Sequence, residues 1–269
     1  MKQNQEIRES TRAMAKIFKQ PTTSVIHMIS IICVYNNRGL LERYLLKSLR
    51  TQSAKYQLIL FDNSQRKFKS SAEIMNVASE KAVGEYLMFV HQDISFLSDS
   101  FLEDTEKTVE KIPKLGVVGA AGKSSEFPNT VTNIFHGDPP TPAGIQIKTP
   151  TRVQTLDSCL VIIPKTMYKL VQFDEKVVRG WYFFIVDYCL SVLNLGYGVY
   201  VIPMNLYHKS YPRYVGLSYF IGLWRILLKH RNYRVIYTTV GNWTLKGYFK
   251  DVLNENLLRR LKDSLGTLL

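Results

Sequence analysis

Apolar residues along this chain fall into two alternating patterns. Solid runs rich in β-branched and aromatic residues, HMISIICVY (27–35), YQLILFD (56–62) and EYLMFV (85–90), read as strands buried on both faces. Between them, LLERYLLKSLRTQ (40–52) and SAEIMNVASEKA (71–82) space their apolar residues three and four apart, as helices with one face on a core do. Strand and helix in alternation predict a mostly parallel sheet with right-handed crossovers. The loops after Tyr35, Asp62 and Asp93 then open on one edge.

The pattern continues with a helix over about 98–112 and a short strand, LGVVGAA (115–121). From 123 to 155 it becomes irregular, with Pro128, Pro139, Pro140, Pro142 and Pro150 close together. A long irregular stretch in a compact domain usually serves a site, so it reads as a mobile flap or hairpin beside one. DSCLVIIP (157–164) restores the sheet, a helix follows over 181–195 with Gly196 as its stop, and VYVIP (199–203) leads to a loop carrying His208. From Gly216 the composition changes. LSYFIGLWRILLKHRNYR (217–234) joins an apolar run to Lys229, His230, Arg231 and Arg234, and Leu245 to Leu265 forms a helical stripe.

Candidate chemistry begins at EYLMFVHQD (85–93), an apolar run that stops at a carboxylate. In open α/β sheets, ligands gather beyond the carboxyl ends of the strands, where Asp93 is placed to hold a divalent cation on a phosphate group. Capping of the next helix is the other role open to it. Asp187 stands in an apolar and aromatic setting, WYFFIVDYCL, where desolvation would raise a carboxyl toward the range useful for proton abstraction. A structural Asp satisfied by backbone donors would sit there equally well.

VYNN (34–37), FDNS (61–64), HQD (91–93), GWYFFIVDYCL (180–190) and GYGVYVIPMNLYH (196–208) come in an order and spacing that resembles family 2 glycosyltransferases of the GT-A fold, over roughly 27–213. His91 stands where that family's Asp-x-Asp motif has its first acidic residue. The resemblance implies a Rossmann-like GT-A domain over 25–213, with a nucleotide-binding half (25–122) and an acceptor half (123–213). A basic extension (1–24) precedes it and a helical, amphipathic one (214–269) follows. It implies an inverting, metal-dependent transfer from a nucleotide-diphosphate sugar, UDP-linked by preference, to a glycan or lipid-linked acceptor.

Asp62 would contact the base or ribose, with Tyr35 against the flat ring. Asp93 and His208 would hold Mn²⁺ or Mg²⁺, and His91 and Arg213 would touch ribose or phosphate. Asp187 would be the base. Trp181 offers a flat face to a sugar ring, and Asp157 is placed to orient an acceptor hydroxyl. Capping or core roles stand beside each of these. A noncatalytic nucleotide- or glycan-binding member of the fold is the alternative, favoured by His91. Sugar-nucleotide synthesis is a further one, but VYNNRG has a single glycine where that chemistry wants a glycine-rich phosphate loop.

Composition narrows the partners. A net charge of +13 suits a pyrophosphate-bearing ligand or an anionic membrane surface, and no nucleic-acid-binding motif accompanies it. Basic residues at both ends, Arg8, Arg12, Lys16 and Lys19 among them, fit peripheral contact with lipid. The stripe near the C-terminus fits packing or homo-oligomer formation as well as lipid. Without an apolar span or a secretory leader, the chain reads as cytoplasmic. Cys33, Cys159 and Cys189 lie apart inside apolar runs, as reduced core residues do.

Overall fold

A computed structural model describes residues 28–210 and 216–248. The basic stretch 1–24, Arg213 and most of the C-terminal stripe lie outside the described residues. Seven strands make the central sheet: β1 (Ile29–Tyr35), β2 (Tyr56–Asp62), β3 (Tyr86–Val90), β4 (Leu115–Gly119), β5 (Thr151–Arg152), β6 (Leu160–Pro164) and β7 (Gly198–Val201). Their order is β5-β7-β4-β6-β3-β1-β2. β1 lies parallel to β2 and β3, and β7 to β4, whereas β6 runs antiparallel to both β3 and β4.

The solid apolar runs are explained by two cores. Ile29, Ile31 and Cys33 of β1 enter one, and Ile32 enters the other, because successive side chains of a strand point to opposite faces. The first core is closed by α1, which runs from 38 to 49 with a π-helical turn at Glu42–Leu46, and by α2 on the other face (Ser71–Glu80) the second is closed, with α3 (Phe101–Val109) joining the first. Leu41, Leu45 and Leu49 repeat every four residues and are at most 2% exposed, so truncating any one to Ala costs about 2–5 kcal/mol. The second core also takes α4 (Lys165–Leu170), α5 (Phe184–Asn194) and α6 (Leu217–Lys229).

Three short strands outside the main sheet position the site. Ile94–Phe96 pairs antiparallel with Leu206–His208, which in turn lies parallel to Ile134–His136. The proline-rich stretch takes the hairpin form of the expected flap or hairpin, with Ile134–His136 paired antiparallel to Thr141–Pro142. It is folded into short strands, with Ala121–Lys123 paired to both Val131–Thr132 and Thr155–Leu156.

The segment after Gly216 departs from expectation. Leu223, Ile226 and Leu227 of α6 are buried against the domain, and a hairpin of Ile236–Thr238 and Gly241–Trp243 follows where helix was expected. Side chains of the domain grip that hairpin's backbone. Thr155 Oγ1 donates to the Tyr237 carbonyl at 2.5 Å, and Tyr237 N donates to Gln154 Oε1 at 2.6 Å. Lys229 and His230, expected to reach headgroups, turn inward to carboxylates. Among the described residues, no helix is long and apolar enough to cross a membrane. The three cysteines are free and buried, and burial pushes their thiols up, Cys189 to about 12.

Candidate active site

The carboxyl ends of β1, β2 and β3 carry the first group of residues. Tyr35 and Asp62 are partners in the β1–β2 register, and Tyr35 Oη donates to Asp62 Oδ2 at 3.3 Å. Asp62 is exposed, its Oδ1 accepts from Ser64 N at 2.8 Å, and hydrogen bonds from Ser64 hold its carboxyl below the ordinary range. Gln92 ties the neighbouring loop to this edge. Its Oε1 accepts from the amides of Asn36 and Asn37 at 3.0 and 2.9 Å, while its Nε2 donates to Asn36 Oδ1 at 2.8 Å. Asn37 in turn caps α1 by accepting from Leu40 N at 3.1 Å.

His91, Asp93 and His208 come together, their ligand atoms all within 4.8 Å of one another. The strand pairing explains how. Ile94 lies opposite His208, and Lys209 N donates to the Asp93 carbonyl at 3.0 Å, so two residues far apart in sequence become neighbours. Asp93 Oδ2 and His208 Nε2 are 3.5 Å apart, and His136 Nδ1 holds the His208 carbonyl at 2.8 Å. Burial works to raise the Asp93 carboxyl, but contact with His208 and the nearby His91 outweigh it, so it stays below the ordinary range as a carboxylate. One carboxylate oxygen and two imidazole nitrogens at this spacing suit a divalent cation.

Asp157 reaches the same edge because β6 is antiparallel. The start of β6, not its end, lies beside the end of β3, with Leu160 opposite Val90 and His91 N donating to the Cys159 carbonyl at 2.9 Å. Asp157 Oδ1 accepts from Cys159 N at 2.8 Å and Oδ2 from Thr239 Oγ1 at 2.9 Å. Burial works to raise this carboxyl, while His91, the Cys159 amide, Thr239 and His208 hold it below the ordinary range.

Two cavities, of about 400 and about 650 Å³, share Asp157, His208, Ser210, Thr239 and Val240 as common lining. Trp181, 39% exposed, lines the smaller one together with Tyr182, Phe183, Tyr219 and Trp243.

Asp187 is not on the cavity surface. It lies in the first turn of α5, 2% exposed, where Oδ2 accepts from Lys229 Nζ at 2.8 Å and Oδ1 is 2.7 Å from His230 Nε2. Lys229 Nζ also donates to Asp174 Oδ2 at 2.9 Å. Asp187, expected to meet an acceptor hydroxyl, is thus placed in an ion-pair cluster with Lys229 and His230 rather than on the cavity wall. Its neighbours Ile185 and Val186 line the cavity, and its own carboxylate faces α6. Both of its oxygens sit beside nitrogens of Lys229 and His230, and the residue is not part of the cavity lining. Arg213 lies outside the described residues.

Of the predicted set, the fold clusters His91, Asp93 and His208, lines the cavities with His208, Asp157 and Trp181, and sets Tyr35 with Asp62 further along the same edge. Sequence reasoning missed Gln92, His136, Tyr219, Thr239 and Trp243. A signal existed for the last two, since VIYTTVGNW places a glycine between two β-rich segments, a hairpin pattern.

Residues 29–212 match the family described as glycosyltransferase like family. Comparison with curated proteins finds no match. Among solved structures, the mannosyltransferase PcManGT from Pyrobaculum calidifontis, in complex with GDP-Man and Mn²⁺, is similar with a TM-score of 0.51. Identity is 14%, over 84% of this chain and 72% of that one. GalNAc-T7 with UDP, GalNAc and Mn²⁺ gives 0.50 at 10% identity, and S. aureus TarS 1-349 with UDP-GlcNAc gives 0.50 at 14%. These cover 70% and 76% of this chain, which spans only 44% and 66% of theirs. At such identities the likeness is one of fold: a GT-A arrangement around a mostly parallel sheet.

Proposed function

Because the chain belongs to the glycosyltransferase like family, we propose that it moves a sugar from a nucleotide-diphosphate donor, UDP-linked by preference, to a glycan or lipid-linked acceptor. The observation that carries this reading is the cluster of His91, Asp93 and His208 at the carboxyl edge of the sheet, next to two cavities and in line with Tyr35 and Asp62. The solved neighbours holding nucleotides or nucleotide sugars, two of them with Mn²⁺, support it.

In this reading Asp62 contacts the base or ribose and Tyr35 lies against the ring. Gln92 holds the loop that receives them. Asp93, His208 and His91 hold Mn²⁺ or Mg²⁺. When bound, the cation offsets the charge of the departing diphosphate. Asp157 orients the acceptor hydroxyl in the shared part of the two cavities and takes its proton as the acceptor oxygen bonds to the anomeric carbon. The bond from that carbon to the diphosphate breaks in the same displacement, which inverts the centre. Asp187 acts from beneath, holding α6 against α5.

One observation favours a second reading. With Asp187 engaged elsewhere, Asp157 is the one carboxylate among the described residues lining these cavities, and a noncatalytic binding protein would need no base.

Thermal stability of wild type and Asp93→Ala against UDP, dTDP, GDP and CMP, each with Mn²⁺, Mg²⁺ or chelator, tests the donor site. A ligand at a hundred times its Kd adds about 2.7 kcal/mol. A metal-dependent rise with one diphosphate, lost in Asp93→Ala, is expected. No rise with any nucleotide would overturn the reading. Sugar release from the matching donor then separates transferase from binding protein, since a protein that binds but never turns over is the second of these.

A further inference from the structure

The smaller cavity has a wall that the family match does not reach. That match ends at residue 212, whereas Tyr219 on α6 and Thr239, Val240 and Trp243 on the hairpin all line the cavity. They close against Trp181, Tyr182 and Phe183 from the loop ahead of α5. The Phe183 ring is the hub, 4.8 Å from Tyr219, 5.3 Å edge-on to Trp243 and 6.0 Å from Tyr182.

Two features show that this wall is built rather than incidental. Phe183 holds a φ of 74°, a left-handed conformation rarely kept by an aromatic residue. Gly222 makes room for it, since a Cβ there would stand 2.8 Å from the Phe183 ring. Asp157, Ser158, His208 and Thr239 add polar groups to the same lining.

Resting on the transferase reading above, we infer that this cavity is the acceptor subsite, that it takes a pyranose ring, and that the C-terminal hairpin decides which one. A pyranose has a face of C–H bonds and a rim of hydroxyls. The aromatic side chains match the first and the polar groups match the second. An alkyl chain in the same space would satisfy the rings but cover the polar groups without hydrogen-bonding to their remaining acceptor and donor sites. The hairpin holds both kinds of group, Trp243 for the face and Thr239 for the rim, and Thr239 also donates to Asp157.

Saturation-transfer NMR on the full chain tests this with methyl β-glucoside, methyl β-galactoside, methyl N-acetyl-β-glucosaminide and octyl β-glucoside. Ring protons of at least one methyl glycoside are expected to saturate. Its affinity should fall about tenfold in Trp243→Ala, the size of one aromatic contact. Trp181→Ala should do the same, and because Trp181 is 39% exposed that variant places little demand on folding.

Saturation confined to the octyl chain, or equal signals in wild type and both variants, would overturn the inference. The shift caused by UDP with Mn²⁺ is read on the same samples. A nucleotide shift without any pyranoside signal removes the subsite alone. Pyranoside binding without a nucleotide shift keeps the pyranose site but removes the transferase reading and, with it, the acceptor role.

Discussion

Replacing Asp187 separates a chemical role from a structural one. In Asp187→Ala, His230 stays buried at 2% exposure and loses the partner of its Nε2, while its Nδ1 already makes no hydrogen bond among the described residues. Lys229 retains Asp174 but loses its more buried carboxylate. Because Lys229 keeps Asp174, the main cost is a buried His230 ring left without its partner, about 1–3 kcal/mol. For a domain of this size each kcal/mol lowers Tm by about 2–4 °C, so a drop of about 2–12 °C is expected.

Asp187→Asn keeps the shape and one acceptor oxygen, and should lose less. Asp187→Ala combined with His230→Leu should recover part of the loss, since an apolar pair leaves nothing buried and unpaired. The assay is paired: melting by circular dichroism, and sugar release well below the lowest Tm. A positioning role predicts that activity returns in proportion to folding across the series. A general base contributes about 10²–10⁴ in rate. If Asp187→Asn melts with wild type yet loses activity on that scale, the structural role assigned here is wrong and the proton goes to Asp187 after all.

Other expectations follow from the same geometry. Asp157 and Asp174 have folded-state carboxyls below their ordinary value of 3.8, so the unfolded chain binds more protons near that pH. Their stabilisation is complete above about pH 5 and lost as pH falls through the folded values, and a urea midpoint that stayed level from about pH 5 to 3 would contradict this. Asp157→Asn, with its hydrogen-bonding shape kept, should leave UDP and Mn²⁺ binding in place and lower sugar release by about 10²-fold or more; wild-type turnover would free Asp157 of that role. Gln92→Ala removes the acceptor of two backbone amides, about 1 kcal/mol each, and should speed hydrogen exchange at Asn36 and Asn37 while raising donor KM. Gly222→Val forces a branched side chain into the Phe183 ring and should cost about 1–3 kcal/mol in urea melts, an effect absent if the ring has room to move.

The architecture was legible in the sequence wherever the signal was local. Runs buried on both faces and helices with one apolar stripe carry their period in adjacent residues, and that is enough to order β1, α1, β2, α2 and β3. It also places Asp62 and Asp93 at strand ends on one edge. Direction and phase are different. Nothing in LVIIP says that β6 runs against its neighbours, because an apolar strand is equally buried either way, yet that reversal is what brings Asp157 to the site.

Asp187 shows the same limit. In WYFFIVDYCL every flanking residue is apolar, so no stripe tells which side of α5 meets the cavity. The side was decided by α6 and the residue after it, which supply Lys229 and His230 about forty residues later and hold the carboxylate off the cavity wall. Likewise, His208 reads as a lone histidine until strand pairing sets it beside Asp93, and Trp243 as one aromatic until the hairpin folds over Phe183. Local pattern determines which segments are strands and helices. Only the packing of distant segments determines which of their side chains share a site, because that depends on neighbours the local sequence does not contain.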